Sequence, residues 1–88
     1  MIGTILGKRG KFSFTPLTKA DGYCDPPSQT GKRILVDSRL RGEARLETII
    51  HELRHAADWS RAEEFVERES RDLARVLWRL GYRREDDK

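Results

Sequence analysis

The two histidines of the chain lie four residues apart in a segment with helical periodicity, and this pair restricts the fold more than any other feature. They occur in IIHELRHAADW, residues 49–59, where His51 and His55 flank Glu52. Apolar residues recur there at every third or fourth position, which predicts a helix over about residues 43–58. On that helix the two imidazoles lie one turn apart on the same side, so their nitrogens can converge on one ion.

The spacing of the histidines predicts a Zn²⁺ site, with the carboxylate of Glu52 beside it to deprotonate a metal-bound water. The alternative is a solvated helix face that carries two histidines by chance. Catalytic zinc takes three protein ligands, and the chain has no third histidine, so the acids of the following segment are the candidates. Glu63 is the first choice because it lies nearest the predicted apolar stripe. Glu64 is the rival if Glu63 only caps its helix.

A second helix is predicted over about residues 61–80. Ser60, followed three residues later by Glu63, fits a capping box, and Gly81 is suited to end the helix. The polar tail RREDDK is expected to fray. The predicted apolar face consists of Val66, Leu73, Leu77 and Leu80.

The first third of the chain is interrupted by glycine and proline and leaves room only for short strands. Thr4–Leu6 and Lys11–Phe14 are the candidates there. After a turn-rich segment over residues 18–32, RILVD at residues 33–37 is the best strand of the chain. The predicted fold class is therefore α+β: short N-terminal strands or a hairpin followed by two packed helices, in a single domain over residues 1–88.

The composition narrows the possible partners. Charged residues make up 38% of the 88 residues and the net charge is +3, with arginines scattered among acids, a pattern that favours a salt-bridged surface over nucleic-acid binding. Cys24 is the only cysteine, so no internal disulfide is expected. Because no apolar run reaches the length of a signal peptide core or a membrane span, we expect a cytoplasmic protein without a membrane partner. Trp78, on the fringe of the second helix, suggests an apolar patch for a homodimer or a larger protein partner.

The stretch HELRHA resembles the metal helix of the gluzincin metallopeptidases, in which H-E-x-x-H is completed by a glutamate on a following helix. Residues 33–82 further resemble the minigluzincins and the compact phage-type metallopeptidases, which have a minimal zincin-like core. The resemblance implies a zinc-dependent metallopeptidase that acts on peptides or proteins. His51, His55 and Glu63 would be the zinc ligands and Glu52 the general base. Glu67 would be a supporting acid that hydrogen-bonds a ligand histidine, a role for which Asp58 is the rival.

The resemblance also implies a strand for the substrate and a group for the oxyanion. In that clan an edge strand before the motif helix binds extended peptide, and RILVD precedes the helix at the right distance. Tyr23 and Arg39 are the candidate oxyanion stabilisers. The sequence departs from the larger enzymes in having only seven residues between His55 and Glu63, and in placing Glu69 at a usually apolar position, where a buried ion pair would account for it.

A function of another class competes with the peptidase. The same residues could build a catalytically silent, zinc-stabilised module that binds protein or nucleic acid. Glu52 favours chemistry, because a purely structural zinc site does not need it.

Overall fold

The computed structural model describes residues 1–5, 8–29 and 31–87, and it has the predicted α+β architecture. A four-stranded sheet is followed by two packed helices and a short 3₁₀ turn. The strands are β1 (Ile2–Ile5), β2 (Lys8–Thr15), β3 (Gly22–Cys24) and β4 (Arg33–Asp37). The helices are α1 (Gly42–Ala57) and α2 (Glu63–Arg79), and the 3₁₀ turn covers Glu85–Asp87.

The strand β4 lies inside the sheet, whose order is β1-β2-β4-β3. It pairs in parallel with β2 and antiparallel with β3, and its residues Ile34 and Val36 are buried. A run of β-branched and apolar residues suits a central strand whose side chains are largely buried. RILVD is thus confirmed as a strand, but its expected place at the sheet edge is wrong, because β2 and β3 already occupy both of its edges.

The edge strand beside β4 is β3, which lies in the segment expected to form only turns. Gly22, Tyr23 and Cys24 pair with Val36, Leu35 and Ile34 of β4. Three residues are too few to show periodicity, so only the tertiary pairing defines this strand. Both predicted N-terminal strands exist. β1 begins earlier than predicted, at Ile2, and the predicted strand end at Leu6 lies outside the described residues, whereas β2 contains the predicted Lys11–Phe14 and extends it at both ends.

The helix α1 is the middle layer, with the sheet on one side and α2 on the other. Its predicted and observed bounds agree to within one residue. The residues of α1 that are buried are Arg45, Glu52 and Ala56. The predicted apolar stripe ran instead through Leu46, Leu53 and Ala57. The difference arises because two separate layers cover α1, so the residues of the predicted stripe are divided between them and are only partly buried.

The helix α2 packs on α1 through small residues. Val66, Ser70 and Ala74 are fully buried, whereas the predicted core residues Leu73 and Leu80 are 43% and 68% exposed. Small side chains allow two helix backbones to approach closely, and this rotates α2 by roughly 50° from the orientation that its leucines predict. The predicted face was wrong apart from Val66 and the half-buried Leu77.

The two ends of α2 differ in how well they were predicted. The capping box is wrong: the N-cap is Ala62 without a side-chain hydrogen bond, and the hydroxyl of Ser60 donates to Asp58 Oδ1 at 2.6 Å. The C-terminal prediction is confirmed. Gly81 adopts a φ of 93°, and the N–H groups of Gly81 and Tyr82 donate to the carbonyls of Trp78 and Leu77, a Schellman motif.

The C-terminal segment through Asp87 is tied to the start of α1, so the expectation of a frayed tail is wrong there. Arg45 is buried, with 5% of its side chain exposed, and its guanidinium contacts Asp86 and Asp87, each at 2.6 Å. Asp87 also accepts a hydrogen bond from the N–H of Gly42 in the first turn of α1. The guanidinium of Arg45 lowers the pKa of Asp86 to about 2. The positive charge of Arg45 is buried in the first turn of α1 and requires carboxylates to neutralise it. Its pairing with Asp86 and Asp87 therefore orders the C-terminal segment.

We expect Asp87→Ala to destabilise the fold by about 2–3 kcal/mol, because it removes a buried charge-assisted contact and a helix cap together. Urea unfolding followed by circular dichroism measures the change. Asp72→Ala is the matched control, since Asp72 is 73% exposed and its ion pair among the described residues is with Arg75 of its own helix, at 3.6 Å. That control should change the free energy of unfolding by less than about 0.5 kcal/mol. Equal effects of the two substitutions would show that the tail does not hold α1.

Candidate metal centre

Two imidazoles and one carboxylate meet where the N-terminus of α2 faces α1. His51 Nε2 lies 2.8 Å from Glu63 Oε1, and His55 Nε2 lies 2.8 Å from Glu63 Oε2. The two Nε2 atoms are 3.2 Å apart. Of the described histidine, cysteine, aspartate and glutamate side chains, these three form a group with metal-ligand spacing. The structure therefore brings together the three predicted metal ligands.

The position of Glu63 follows from the way α2 packs. Glu63, Ser70 and Ala74 lie within roughly 40° of one another around the helix axis, so the line that is buried against α1 continues to Glu63. On the N-terminal side of Val66, the residues of α1 that face α2 are His51 and His55. Both glutamates are exposed, with 62% of the Glu63 side chain accessible, but Glu64 is rotated by roughly 100° from Glu63 and so from the two histidines that Glu63 contacts. The packing of α2 on α1 thus distinguishes Glu63 from Glu64, the two candidate ligands that the sequence left as alternatives.

The donor set fits a metal ion. Zinc bound tetrahedrally at about 2.0–2.1 Å from its ligands needs donor atoms roughly 3.3 Å apart. The observed separation of the two histidine nitrogens is 3.2 Å, and each oxygen of Glu63 lies 2.8 Å from one of these nitrogens, about half an ångström less than that spacing. Two histidines with one glutamate form a donor set that catalytic zinc uses, with a further position left for water or substrate. The residues can therefore hold a metal ion of this type.

Glu52 lies beside the two histidines but under the sheet. It is 8% exposed, and burial raises its pKa to about 7, with the charge of His51 lowering the pKa and that of Glu63 raising it. Its carboxylate packs against the backbone of β3: a Cβ added at Gly22 would lie 2.7 Å from Glu52 Oε2. Only glycine leaves room for the carboxylate at this point, so the edge strand and the motif helix together fix the position of Glu52.

The site opens into a cleft of about 760 Å³ between β3 and the two helices. Gly22 and Cys24 lie along one side, and His51, Glu52 and Glu63 also line the cleft. In antiparallel pairing the main-chain groups of alternate residues point to opposite edges. The N–H of Asp25 and the carbonyl of Asp21 point to β4. By this alternation, the main-chain groups of Gly22 and Cys24 point to the outer edge, beside the cleft.

Neither candidate oxyanion stabiliser is directed at the metal ligands. Tyr23 lines the cleft, but a hydrogen bond to Asp25, with the charge of that carboxylate, raises the pKa of its hydroxyl. Arg39 pairs with Asp37 at 2.9 Å and also donates to the carbonyl of Leu17. The oxyanion role of Arg39 therefore finds no support, and that of Tyr23 would require the contact with Asp25 to break.

The predicted supporting acids have different surroundings. Glu67 lines the cleft one turn after Glu63, whereas Asp58 accepts hydrogen bonds in the turn between the helices. Their hydrogen bonds to a ligand histidine stay predictions. The ion pair proposed for Glu69 is confirmed: Arg54 Nε lies 2.6 Å from Glu69 Oε1, and this half-buried pair links α1 to α2.

Sequence reasoning missed two residues of the site. Gly22 has no signal in a segment rich in turn residues, because its role depends on the approach of Glu52 from another element. Trp59 lines the cleft with its ring centroid 6.2 Å from that of His55. An aromatic residue one turn after the second histidine was a signal in the sequence. The contact was not predicted because Trp59 lies beyond the predicted end of α1.

We expect Gly22→Ala to destabilise the protein by about 1–3 kcal/mol, because the added methyl group overlaps Glu52 and lies 2.9 Å from Thr48 Cγ2. Thermal and urea unfolding measure the effect. Gly3→Ala is the control in another edge strand, where the nearest atom lies at 3.6 Å, and it should change stability by less than about 0.5 kcal/mol. The cost at Gly22 should shrink in a Glu52→Ala background. An undiminished cost there would contradict the packing of Glu52 on β3.

Comparison with known proteins gives no family for the chain. No protein-family profile matches it, and a search of curated proteins finds no significant match. Among the described residues, no helix combines the length and the apolar character needed to cross a bilayer.

Proposed function

We propose that the protein is a zinc-dependent peptidase whose ion is held by His51, His55 and Glu63. The observation that carries the proposal is the convergence of these three side chains in a cleft that also contains the buried carboxylate of Glu52. A purely structural site closes all ligand positions with protein groups. Here three protein donors leave at least one position for water or substrate, which supports chemistry over a structural role alone.

Each residue has a defined part in the proposed hydrolysis. A zinc ion at this site supplies positive charge that polarises a peptide carbonyl and makes a water molecule more acidic. Glu52 accepts a proton from the attacking water and delivers it to the departing amine. The hydroxyl adds to the carbonyl carbon, the carbon–nitrogen bond breaks, and the proton goes to the amine nitrogen. The backbone of β3 holds Glu52 in place, since its carboxylate lies against Gly22.

The substrate that this geometry favours is an extended peptide. The outer edge of β3 borders the cleft, and Gly22 and Cys24 direct their main-chain groups there. A peptide strand that pairs with them adds one strand to the sheet and lies beside the metal ligands. In this proposal the strand that binds the substrate is β3. The resemblance implied RILVD, which is β4, for this role, but both edges of β4 are already paired.

The second candidate is a zinc-stabilised binding module without turnover. Its support is that the ligands come from both helices, so an ion would join α1 to α2 in a small domain whatever else it did. The two candidates share the metal site and differ only in turnover.

The test is cleavage of unstructured peptides by the zinc-loaded full chain. We expect mass spectrometry of a peptide mixture to show new termini, their loss on chelation, and their return when zinc is added back. Chelated protein is the matched control for contaminating proteases that need no metal. Full zinc loading without cleavage of any peptide in a broad mixture would reject the peptidase and retain the binding module.

A further inference from the structure

The outer side of α2 carries an exposed apolar ridge. Its four residues are between 43% and 68% exposed; three lie in α2, and the fourth, Leu80, is the C-cap of that helix. They fall within an arc of roughly 80° around the axis and extend for about 22 Å along it. The apolar ridge consists of Phe65, Leu73, Val76 and Leu80.

A row of arginines runs beside the apolar ridge on the same helix. Its members are exposed and occupy a neighbouring arc of roughly 80° over about 16 Å. Within the described part of the chain, only one of them has a carboxylate within 4 Å: Arg75, whose partner Asp72 lies at 3.6 Å in the same helix. An exposed pair of this kind contributes little stability. The basic row consists of Arg68, Arg71, Arg75 and Arg79.

The fold uses this surface only in part: Arg71 also lines the cleft, and the guanidinium of Arg61 lies 4.9 Å from the centroid of the Phe65 ring. The helix α2 packs on α1 through Val66, Ser70 and Ala74, and the residues of the apolar ridge stay 43–68% exposed. Three of the four arginines have no carboxylate within 4 Å among the described residues, and a row of this kind attracts acidic groups even though Glu64 and Asp72 lie on the same part of the helix surface. Apolar side chains in a line beside the arginines are typical of a surface that receives an amphipathic helix.

We propose that α2 is the docking surface for an acidic amphipathic helix of a partner protein, whose apolar side packs on the apolar ridge and whose carboxylates pair with the basic row. A second copy of the chain suits this surface less, because it would bring two basic rows together. Nucleic acid would use the arginines and leave the apolar ridge uncovered.

A lipid surface is disfavoured by an ion pair in the middle of the apolar ridge. Glu69 lies between Phe65 and Leu73 on the helix surface and pairs with Arg54. Their side chains retain 27% and 31% exposure, so insertion into hydrocarbon would strip water from two charges. A protein partner can instead offer hydrogen bonds to the same groups.

The test uses a fluorescent synthetic peptide of about five turns with a leucine stripe flanked by glutamates. We expect it to bind the full chain with a dissociation constant in the micromolar range, more weakly as salt increases. A peptide in which lysine replaces every glutamate should bind at least tenfold more weakly. Fluorescence anisotropy measures both.

Two protein variants separate the contributions. Arg75→Glu with Arg79→Glu, and Val76→Gln with Leu80→Gln, should each weaken peptide binding at least tenfold. Arg9→Glu with Lys19→Glu makes the same change of charge at exposed positions away from α2, and it should bind as the unaltered chain does. Zinc stoichiometry and melting temperature, equal in all variants, verify the fold and are read independently of peptidase activity.

Several results would overturn the proposal. These are no binding of the glutamate peptide at about 100 µM, or equal binding of the lysine peptide. Peptide binding that survives both α2 variants would do the same. Dimerisation of the chain that the Val76 and Leu80 variant abolishes would identify a second copy as the occupant. Binding to phosphatidylserine vesicles or to duplex RNA that needs the same residues, without peptide binding, would assign the surface to lipid or nucleic acid.

Discussion

Glu52→Gln will remove peptide cleavage while the protein still binds zinc. Glutamine has nearly the same shape as glutamate and fits against Gly22, but its amide cannot accept the proton of the attacking water. Loss of a general base typically slows a reaction by about 10²–10⁴-fold, so the decrease should be large. Initial rates on a quenched fluorescent peptide measure it, and competition with a chromogenic chelator measures the zinc affinity, which should stay within about threefold.

The controls for this prediction lie in the same cleft. Glu67→Gln removes another carboxylate that lines the cleft outside the group of three metal donors, and it should slow cleavage far less than Glu52→Gln does. Cleavage that persists in the Glu52 variant at the rate of the unaltered chain would contradict the role of this residue. A variant that loses zinc together with activity would show instead that Glu52 supports the metal ligands.

The double substitution His51→Ala with His55→Ala should abolish stoichiometric zinc binding, since it removes two of the three donors. The unaltered chain should bind one zinc ion and melt at a higher temperature with zinc than without it. Free zinc at about 100 times its dissociation constant adds about 2.7 kcal/mol, or roughly 10–20 °C for a domain of this size. Equilibrium dialysis with elemental analysis and differential scanning calorimetry make the measurements. Full zinc stoichiometry in the double variant would refute the metal site.

The third ligand has its own comparison. Glu63→Gln should weaken zinc binding by at least tenfold, because Glu63 lies 2.8 Å from both histidine nitrogens. Glu64→Gln makes the same chemical change at the next residue, which faces solvent, and should leave zinc affinity unaltered. The reverse order would identify Glu64 as the ligand.

The sequence alone was sufficient for the local features. Spacing along one helix depends on the helical period, so the positions of His51 and His55 one turn apart followed directly from the four-residue interval. The strand at residues 33–37 and the helix at 43–58 also have signals within a single segment, and both were confirmed. The C-terminal cap at Gly81 is another local feature, because it depends only on a residue that accepts a positive φ.

Tertiary structure decided everything that depends on which elements meet. The small residues Ser70 and Ala74 rotate α2 so that Glu63 faces the histidines, although its leucines predict another face. β3 is defined by pairing with β4 and by the approach of Glu52 to Gly22, and the buried charge of Arg45 orders the tail at Asp86 and Asp87. These contacts join residues far apart in the chain. Their energies depend on packing and burial between elements, and periodicity within one segment carries no information about either.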